Sequence, residues 1–306
     1  MTTILFIEQM LNGLGYGFML FLLAAGLTLV FGIMDVMNLA HGSLFMAGAY
    51  VAAQVHTRTG SFLIAVLSAL AVVLLLALVL EVFLVRRLYG RDHLAQVLAT
   101  FGIILVADDL VKLIWGAAPI MAFAPALLSG PVELLPGLMY PSYRLLILGA
   151  GVLVALGLYL LVNHTRVGML VRAGASNRRM AEFMGVRVGQ VFSMVFLLGA
   201  ALAALAGALM GPLTAVQIGM GEEILIPSLV VLVIGGIGSV RGAFVAALVV
   251  GMVDTLGRAF LPLLLRSFMS PALVSDLAPA MAGLATYALM AGVLAFKPAG
   301  LFPARG

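Results

Sequence analysis

Three polar side chains stand at the junction of two apolar runs near the N-terminus. Asp35, Asn38 and His41 recur every third residue within Gly32–Ser43. If this stretch is helical, neighbouring members share a face, and with Gly42 they would line a polar pathway through apolar surroundings. The alternative is a junction between two helices, with Asp35 or Asn38 as the N-cap. No paired histidine accompanies His41 at ligand spacing, so a metal site is not expected.

A second segment, Gly235–Gly242, is rich in glycine. Its candidates for a pathway are the small residues at its start, Gly235, Gly236, Gly238 and Ser239. A phosphate-binding loop needs the pattern G-x-x-x-x-G-K-[ST], and neither Lys112 nor Lys297 fits it. The chain is therefore not expected to hydrolyse ATP itself. Two interpretations stay open for the glycines: a helix break that lines a cavity, and a tight turn or close helix pair.

The composition is typical of a membrane protein. Of 306 residues, 64% are hydrophobic and 9% are charged, and the mean hydropathy is +1.24, whereas a soluble domain carries about 25% charged residues. Cysteine is absent, which excludes disulfides and a cysteine nucleophile. Since one span takes about 20 apolar residues, we predict an all-α polytopic membrane protein with eight or nine spans, some short or broken. Residues 1–306 are predicted to form a single transmembrane domain.

The apolar runs give the approximate bounds of nine candidate spans. They are Leu5–Met34, Val36–Val55, Phe62–Val85, Leu94–Trp115, Tyr143–Val162, Val191–Gln217, Leu225–Ile234, Ala243–Leu261 and Ala278–Phe296. The seventh is too short to cross alone and is interpreted as a half-helix. With the loop 163–190 in the cytoplasm, eleven of the 16 lysines and arginines lie on that side, as the positive-inside rule favours. The C-terminus is then cytoplasmic as well.

The charged residues near the ends of spans are interpreted as structural ion pairs. Asp254 and Arg258 are four residues apart, which is the spacing of an ion pair on a helix. Asp108 and Lys112 have the same spacing near the outer end of another span. Glu222–Glu223 is predicted to lie in an outer loop, as part of a solvated turn.

The long loop contains a short amphipathic helix. The segment from Asn177 to Met184 is helical in character, and Met180, Phe183 and Met184 form an apolar face among basic residues. Gly185 is predicted to end this helix. Such a helix either lies on anionic lipid headgroups or docks in the groove of a partner protein.

Three motifs along the chain resemble those of one family. The motifs are Arg172-Ala173, Asn177, Ala181 and Gly185-Val186 in the loop, Asn38–Gly42 with Gly48–Tyr50, and Gly235–Ser239 with Gly242-Ala243. They are similar to the coupling loop and the two signatures of LivH-type branched-chain amino acid permeases, which are subunits of ATP-binding-cassette importers. The resemblance runs nearly from end to end of the chain.

The resemblance implies an importer of several chains. A homologous second permease would share the pathway, two P-loop ATPases would bind ATP and magnesium, and a periplasmic binding protein would deliver the solute. This chain would need no cofactor and would contact lipid but no nucleic acid. The residues implied in coupling to the ATPases are Arg172, Asn177, Ala181, Glu182, Phe183 and Gly185. The implied location is the bacterial plasma (inner) membrane.

The implied function is import by alternating access. The expected solutes are leucine, isoleucine and valine, with urea, a short amide or another small organic acid as alternatives within the same class. A stand-alone secondary transporter is less favoured, because its coupling-ion carboxylates usually stand in mid-span and the acids here cluster near span ends. A membrane-embedded enzyme would need a nucleophile or a metal constellation, and the sequence offers neither.

Overall fold

The computed structural model describes residues 2–176 and 178–302. Within them the chain is almost entirely helical. The helices are α1 (Thr2–Met34), α2 (His41–Thr59), α3 (Phe62–Leu80), α4 (Arg86–Leu88), α5 (His93–Trp115), α6 (Ser142–His164), α7 (Arg166–Ser176), α8 (Arg178–Phe183), α9 (Val188–Met210), α10 (Met220–Gly235), α11 (Val240–Leu265) and α12 (Pro271–Phe296). A π-helical turn, Glu81–Val85, joins α3 to α4, and an antiparallel hairpin of β1 (Pro131–Leu135) and β2 (Leu138–Pro141) precedes α6.

Six of the described helices are long and apolar enough to cross a membrane. They are α1, α3 with its π-helical turn and α4, α6, α9, α11 and α12. The other long helices are α2, α5 and α10, and α10 has 16 residues. Together they correspond to the nine predicted runs, and α10 is the short seventh one. The polytopic all-α fold with short or broken helices is therefore confirmed, whereas the extent of a single domain stays a prediction.

Helix α1 lies at the centre of the bundle. It packs against α6, α9, α10 and α11 and is buried along most of its length. Glycines bring the backbones together: a Cβ on Gly17 would lie 2.9 Å from the carbonyl oxygen of Ala247, and one on Gly48 would lie 2.7 Å from that of Ala204. Small residues of this kind allow the close packing on which helix association in lipid depends.

The outer faces of the bundle are apolar. Leucines and other large hydrophobic side chains of α3, α5, α6 and α12 are exposed, among them Leu75, Leu113, Leu153 and Leu284. In water such a surface would cause association. In a bilayer it is the ordinary surface of a spanning helix, because lipid tails are as apolar as these side chains.

Several predicted boundaries are wrong. Helix α2 begins at His41 and not at Val36, because residues 35–40 are not helical and are held by side chains of α5, which a local pattern does not contain. Helices α10 and α12 begin five and seven residues earlier than predicted, at Met220 and Pro271, and α9 ends at Met210, seven residues before Gln217. The loop 163–190 contains two helices, α7 and α8, where the sequence predicted one; Asn177 lies between them, outside the described residues.

Candidate functional site

The segment between α1 and α2 is a break in the helical structure. Asp35 takes a left-handed backbone conformation, with φ of 52°, directly after α1 ends at Met34. The chain then doubles back, since a Cβ on Gly26 would lie 2.7 Å from Nε2 of His41. His41 therefore lies beside a residue two turns before the end of α1. The helical face predicted for Asp35 and Asn38 does not form, because both residues are outside the helices.

Two side chains of α5 hold this break. The Gln96 side chain accepts a hydrogen bond from the Met37 amide (2.9 Å) and donates to the carbonyls of Arg91 (3.1 Å) and Asp35 (3.4 Å). One turn later, Thr100 accepts from the Leu39 amide (3.3 Å). Both side chains are buried. They satisfy backbone groups that a break in a helix exposes, which is the condition for such a break at membrane depth.

Gln96 and Thr100 were not among the residues predicted for the site, although the sequence contains a signal for them. They are polar residues four apart in the apolar run of α5, so they share a helix face. Polar groups that share a face of a spanning helix usually point into the protein. The predicted capping by Asp35 or Asn38 is wrong: Ala40 precedes α2, and it makes no side-chain cap.

Buried polar atoms without partners cluster around the start of α2. Nδ2 of Asn38, Nε2 of His41 and Oγ of Ser43 are buried, and none has a hydrogen-bonding partner among the described residues. An unpaired buried polar group costs about 1–3 kcal/mol. These atoms would therefore gain free energy if a polar solute or water reached them.

The start of α10 meets the start of α2. Gly219, with φ of 85°, precedes α10, and the following turn packs on α2 so closely that a Cβ on Gly221 would lie 2.5 Å from the carbonyl oxygen of Gly42. The loop that leads into α10 is fixed by mutual hydrogen bonds of 2.9 Å between Ile120 and Val216. Two helix N-termini, each with a partial positive charge, thus converge in the interior of the bundle.

Two cavities lie along these elements, one at the break and one at the start of α10. The first, which we call the break cavity, has a volume of about 500 Å³. It is lined by the end of α1, by the residue that follows it and by residues of other segments: Phe31, Gly32, Ile33, Met34, Asp35, Gly90, Arg91, Gln96, Gly174, Phe192 and Ile237. The second, which we call the α10 cavity, has a volume of about 290 Å³ and is lined by Tyr16, Phe45, Met210, Thr214, Ala215, Gln217, Met220, Glu223 and Ile224. In the sequence, Gly42 lies between Asp35, which lines the break cavity, and Phe45, which lines the α10 cavity.

Two acidic residues stand at the start of α10, and one of them, Glu223, borders the α10 cavity. Glu222 and Glu223 belong to the first turn of α10, so their prediction as a loop is wrong. Gln217 donates to Oε1 of Glu223 at 3.4 Å, and the N-terminal position suits carboxylates electrostatically.

The predicted ion pair between Asp254 and Arg258 is confirmed at 2.8 Å.

The glycine-rich segment forms a compact turn between α10 and α11. Ser239 caps α11 by accepting from the Gly242 amide at 3.1 Å, and a Cβ on Gly235 would lie 2.5 Å from the carbonyl carbon of Gly242. Gly236 and Gly238 have positive φ. The amides of residues 301 and 302 donate to the last carbonyls of α10 at 2.8 and 3.1 Å. These contacts favour the turn interpretation, and a pathway role for the four residues stays a prediction.

The coupling segment, which we define as residues 166–187, packs through α7 against α1, α6 and α9 and exposes large apolar side chains at α8. Phe183 is 86% exposed, and Met180 and Met184 are also exposed, whereas Ala181 is buried. Glu182 is exposed beside them. The Arg172 guanidinium donates to the Val162 carbonyl, so it ties α7 to the last turn of α6, where a positive charge is favourable.

Gly185 ends α8 as predicted. Its φ is 84°, its amide donates to the Glu182 carbonyl (3.0 Å), and the Val186 amide donates to the Ala181 carbonyl (3.0 Å). This pair of hydrogen bonds is a Schellman motif, which needs a left-handed residue at the position of Gly185. The motif redirects the chain into α9 within three residues.

These features are those of a polytopic helical membrane protein that has a broken helix and two cavities. A model of the family described as branched-chain amino acid transport system / permease component matches residues 9–294. The chain therefore belongs to this family of transport-system subunits.

Curated relatives agree in length and in class. The chain is 29% identical over 266 residues to the high-affinity branched-chain amino acid transport system permease protein BraD of Pseudomonas aeruginosa, which covers 82% of this chain and 86% of the relative. It is 27% identical over 270 residues to LivH of Escherichia coli K12, a permease protein with the same description, with 84% and 87% covered. A probable LivH of Methanocaldococcus jannaschii is 28% identical over 79% of this chain and 78% of the relative. No solved structure matches the chain.

Proposed function

We propose that this chain is the membrane-spanning subunit of an importer for branched-chain amino acids, and that separate ATPase chains drive it. The observation that carries the proposal is the close contact between Gly42 and Gly221, where the first turns of α2 and α10 meet beside the α10 cavity. In the proposed mechanism of alternating access, this contact closes a path through the bundle and opens to one side at a time. The family relationship supports the class of solute.

The two helix N-termini suit the chemistry of an amino acid. A solute carboxylate gains from the partial positive charge at the starts of α2 and α10. Its ammonium group has Glu223 at the edge of the α10 cavity, and its aliphatic side chain has Phe45, Met220 and Ile224 on the wall of the same cavity. A volume of about 290 Å³ leaves room for a side chain of four carbons.

The energy source is proposed to lie outside this chain. The sequence has no phosphate-binding loop, and the exposed apolar face at Phe183 offers a docking point for a cytoplasmic partner. In this arrangement the partners are a second permease, two P-loop ATPases and a periplasmic binding protein. The coupling segment and the C-terminus then face the cytoplasm, and the membrane is the bacterial inner membrane.

Competition for uptake tests the solute. Cells or vesicles with the complete transport system take up labelled leucine, and unlabelled isoleucine and valine are expected to reduce this uptake when added in excess, while urea and short amides are not. If urea or an amide competes and none of the three aliphatic amino acids does, the solute assignment is wrong. The importer class would survive that result.

A further inference from the structure

A carboxylate is buried where α3 ends. Glu81 is the first residue of the π-helical turn Glu81–Val85, and its side chain has an exposed fraction of 0%. Turns of this kind are rare and are often found at functional sites. A buried carboxylate costs several kcal/mol unless charged or polar partners surround it, so the contacts of Glu81 identify what it holds together.

Three donors converge on one oxygen of Glu81. Oε1 accepts from Nε of Arg86 (2.9 Å), the hydroxyl of Tyr89 (3.1 Å) and the hydroxyl of Ser193 (2.9 Å). Arg86 also donates to the Ser193 hydroxyl at 3.1 Å. We call these four residues the Glu81 clamp. Because Ser193 belongs to α9 and the other three lie between the start of the π-helical turn and the residue that follows α4, the clamp joins two parts of the chain that are distant in sequence.

A ring contact reinforces the same junction. Tyr89 packs edge-on against Phe192, with ring centroids 5.4 Å apart. Two consecutive residues of α9, Phe192 and Ser193, are therefore fixed to the turn that follows α3. Helix α9 starts at Val188, three residues after Gly185, and Ser193 lies about 7.5 Å further along its axis. The clamp thus grips α9 directly beside the coupling segment.

The far side of the clamp leads to the break between α1 and α2. The residues after Tyr89, Gly90 and Arg91, line the break cavity. The Arg91 carbonyl accepts from the Gln96 side chain (3.1 Å), and the same side chain holds the Met37 amide (2.9 Å). A continuous set of hydrogen bonds and short backbone links thus runs from the start of α9 to the break.

We propose that the Glu81 clamp transmits movement of the coupling segment to the helix break, with Glu81 and Ser193 as positioning residues for transport. When the ATPases displace α8, the start of α9 moves with it through Gly185. The clamp makes the α3–α4 turn follow, and Gln96 passes the displacement to residues 35–40. This inference rests on the proposed function.

The test uses the complete complex, with its second permease, ATPases and binding protein, in proteoliposomes. Ser193→Ala removes the hydrogen bonds that link the turn to α9 and leaves Glu81 paired with Arg86 and Tyr89, with the ring contact of Tyr89 and Phe192 still in place. Its control is Ser275→Ala, because Ser275 donates to the Pro271 carbonyl of its own helix (2.9 Å), whereas the single hydroxyl hydrogen of Ser193 has two acceptors within reach, Oε1 of Glu81 (2.9 Å) and the Gly189 carbonyl (3.0 Å). Glu81→Gln, which keeps the shape and removes the charge, is the second variant. The readouts are ATPase co-purification, basal ATP hydrolysis, leucine-stimulated hydrolysis and leucine imported per ATP.

Ser193→Ala and Glu81→Gln are expected to keep the ATPases bound and basal hydrolysis near that of the unchanged protein. Leucine imported per ATP is expected to fall about ten-fold, which is the effect of one lost hydrogen bond to a charged group on a two-state equilibrium. The Ser275→Ala variant is expected to match the unchanged protein. Stimulation and import at the level of the unchanged protein in both clamp variants would overturn the inference. Loss of the ATPases from the variants would also overturn it, because the clamp would then only support ATPase docking.

A distance measurement supplies a readout that a purely structural role would not move. The chain contains no cysteine, so spin labels are attached at Arg87→Cys and Gln190→Cys, both of which are exposed. In the protein with an unchanged clamp, the distance between the labels is expected to be the same in the nucleotide-free and ATP-bound complexes. In Ser193→Ala, this distance is expected to differ between the two complexes. A constant separation in both proteins would overturn the inference. If the complex without substitutions shows neither leucine import nor leucine-stimulated hydrolysis, the proposed function is wrong. If it shows both and the clamp variants behave in the same way, only the inference about the clamp is wrong.

Discussion

The backbone of Gly42 lies directly against that of Gly221, where the first turns of α2 and α10 meet. A methyl group on Gly221 would lie 2.5 Å from the carbonyl oxygen of Gly42, which is closer than two such groups approach in a folded protein. Neither helix could start at its present position if either residue carried a side chain. The contact thus explains why glycine stands at both positions where two helices begin inside the bundle.

Substitution of Gly221 tests the role of this contact. Gly221→Ala forces the two helix starts apart and is expected to disfavour the closed arrangement by about 1–3 kcal/mol. Leucine uptake is expected to fall about ten-fold, with the protein still inserted in the membrane and bound to its ATPases. The control is Gly149→Ala, because a Cβ at Gly149 meets no atom within 4 Å. Equal uptake by the two variants would contradict a gating role for the contact.

The Thr100 hydroxyl is expected to stabilise the break between α1 and α2. Thr100→Val keeps the shape of the side chain but leaves the Leu39 amide without its acceptor, which costs about 1–3 kcal/mol of folding free energy. Thermal unfolding of the purified protein in detergent measures the loss. Thr57→Val is the matched control, since Thr57 bonds only to the Ala53 carbonyl in its own helix. An equal loss of stability in both variants would show that the bond from Leu39 is unimportant.

The sequence predicted the class of fold well because apolar composition is a strong signal. Runs of about 20 apolar residues have few alternatives to a spanning helix, and Gly185 at the end of α8 follows from backbone sterics alone. A junction between two helices was one of two interpretations of residues 35–40, but the side chains that hold it could not be predicted because they are distant. Gln96 and Thr100 hold it from 59 and 61 residues away. No local pattern contains that information.

The candidate site was predictable only in part, for the same reason. Asn38, His41 and Gly42 stand out as polar or small residues in an apolar run, whereas their partner Gly221 is one glycine among 35. Glu81 looks like an ordinary charge at the end of a span. Its importance appears only when Ser193, 112 residues later, lies within 2.9 Å of it.

The exposed aromatic ring of α8 is expected to bind an ATPase subunit. Phe183 is 86% exposed, so Phe183→Ala should leave the stability of this chain unchanged. If the ring occupies a packed groove, truncation weakens binding by about 2 kcal/mol or more, and the ATPases no longer co-purify. Phe268→Ala is the control, because Phe268 is 85% exposed and lies outside the coupling segment. Retention of the ATPases by both variants would leave α8 as a lipid-facing helix.

The conformation of Gly185 is expected to matter separately. Its φ of 84° is strained for a β-branched residue, so Gly185→Val should misdirect the chain between α8 and α9. Membrane insertion is expected to persist while leucine-stimulated ATP hydrolysis is lost. Gly189→Val is the comparison, because Gly189 lies in the first turn of α9, where a Cβ meets no atom within 4 Å. Equal hydrolysis by both variants would argue against a role for the Schellman motif in coupling.

The orientation in the membrane is testable because the chain has no cysteine. Thr59→Cys and Arg187→Cys introduce single thiols at exposed positions at the end of α2 and just before α9. A maleimide that does not cross membranes is expected to label Thr59→Cys in intact cells and Arg187→Cys only after the inner membrane is permeabilised. The reverse pattern would mean that the coupling segment is outside the cell, where no ATPase reaches it.

The dependence of uptake on partner chains tests the central claim most directly. The protein is reconstituted in liposomes alone and, in parallel, with its second permease, its ATPases and the binding protein, and the accumulation of labelled leucine is measured with ATP, with a proton or sodium gradient, and with neither. The account predicts accumulation only in the complete complex and only with ATP. Accumulation by the lone chain in response to an ion gradient would contradict it and would make the protein a secondary transporter.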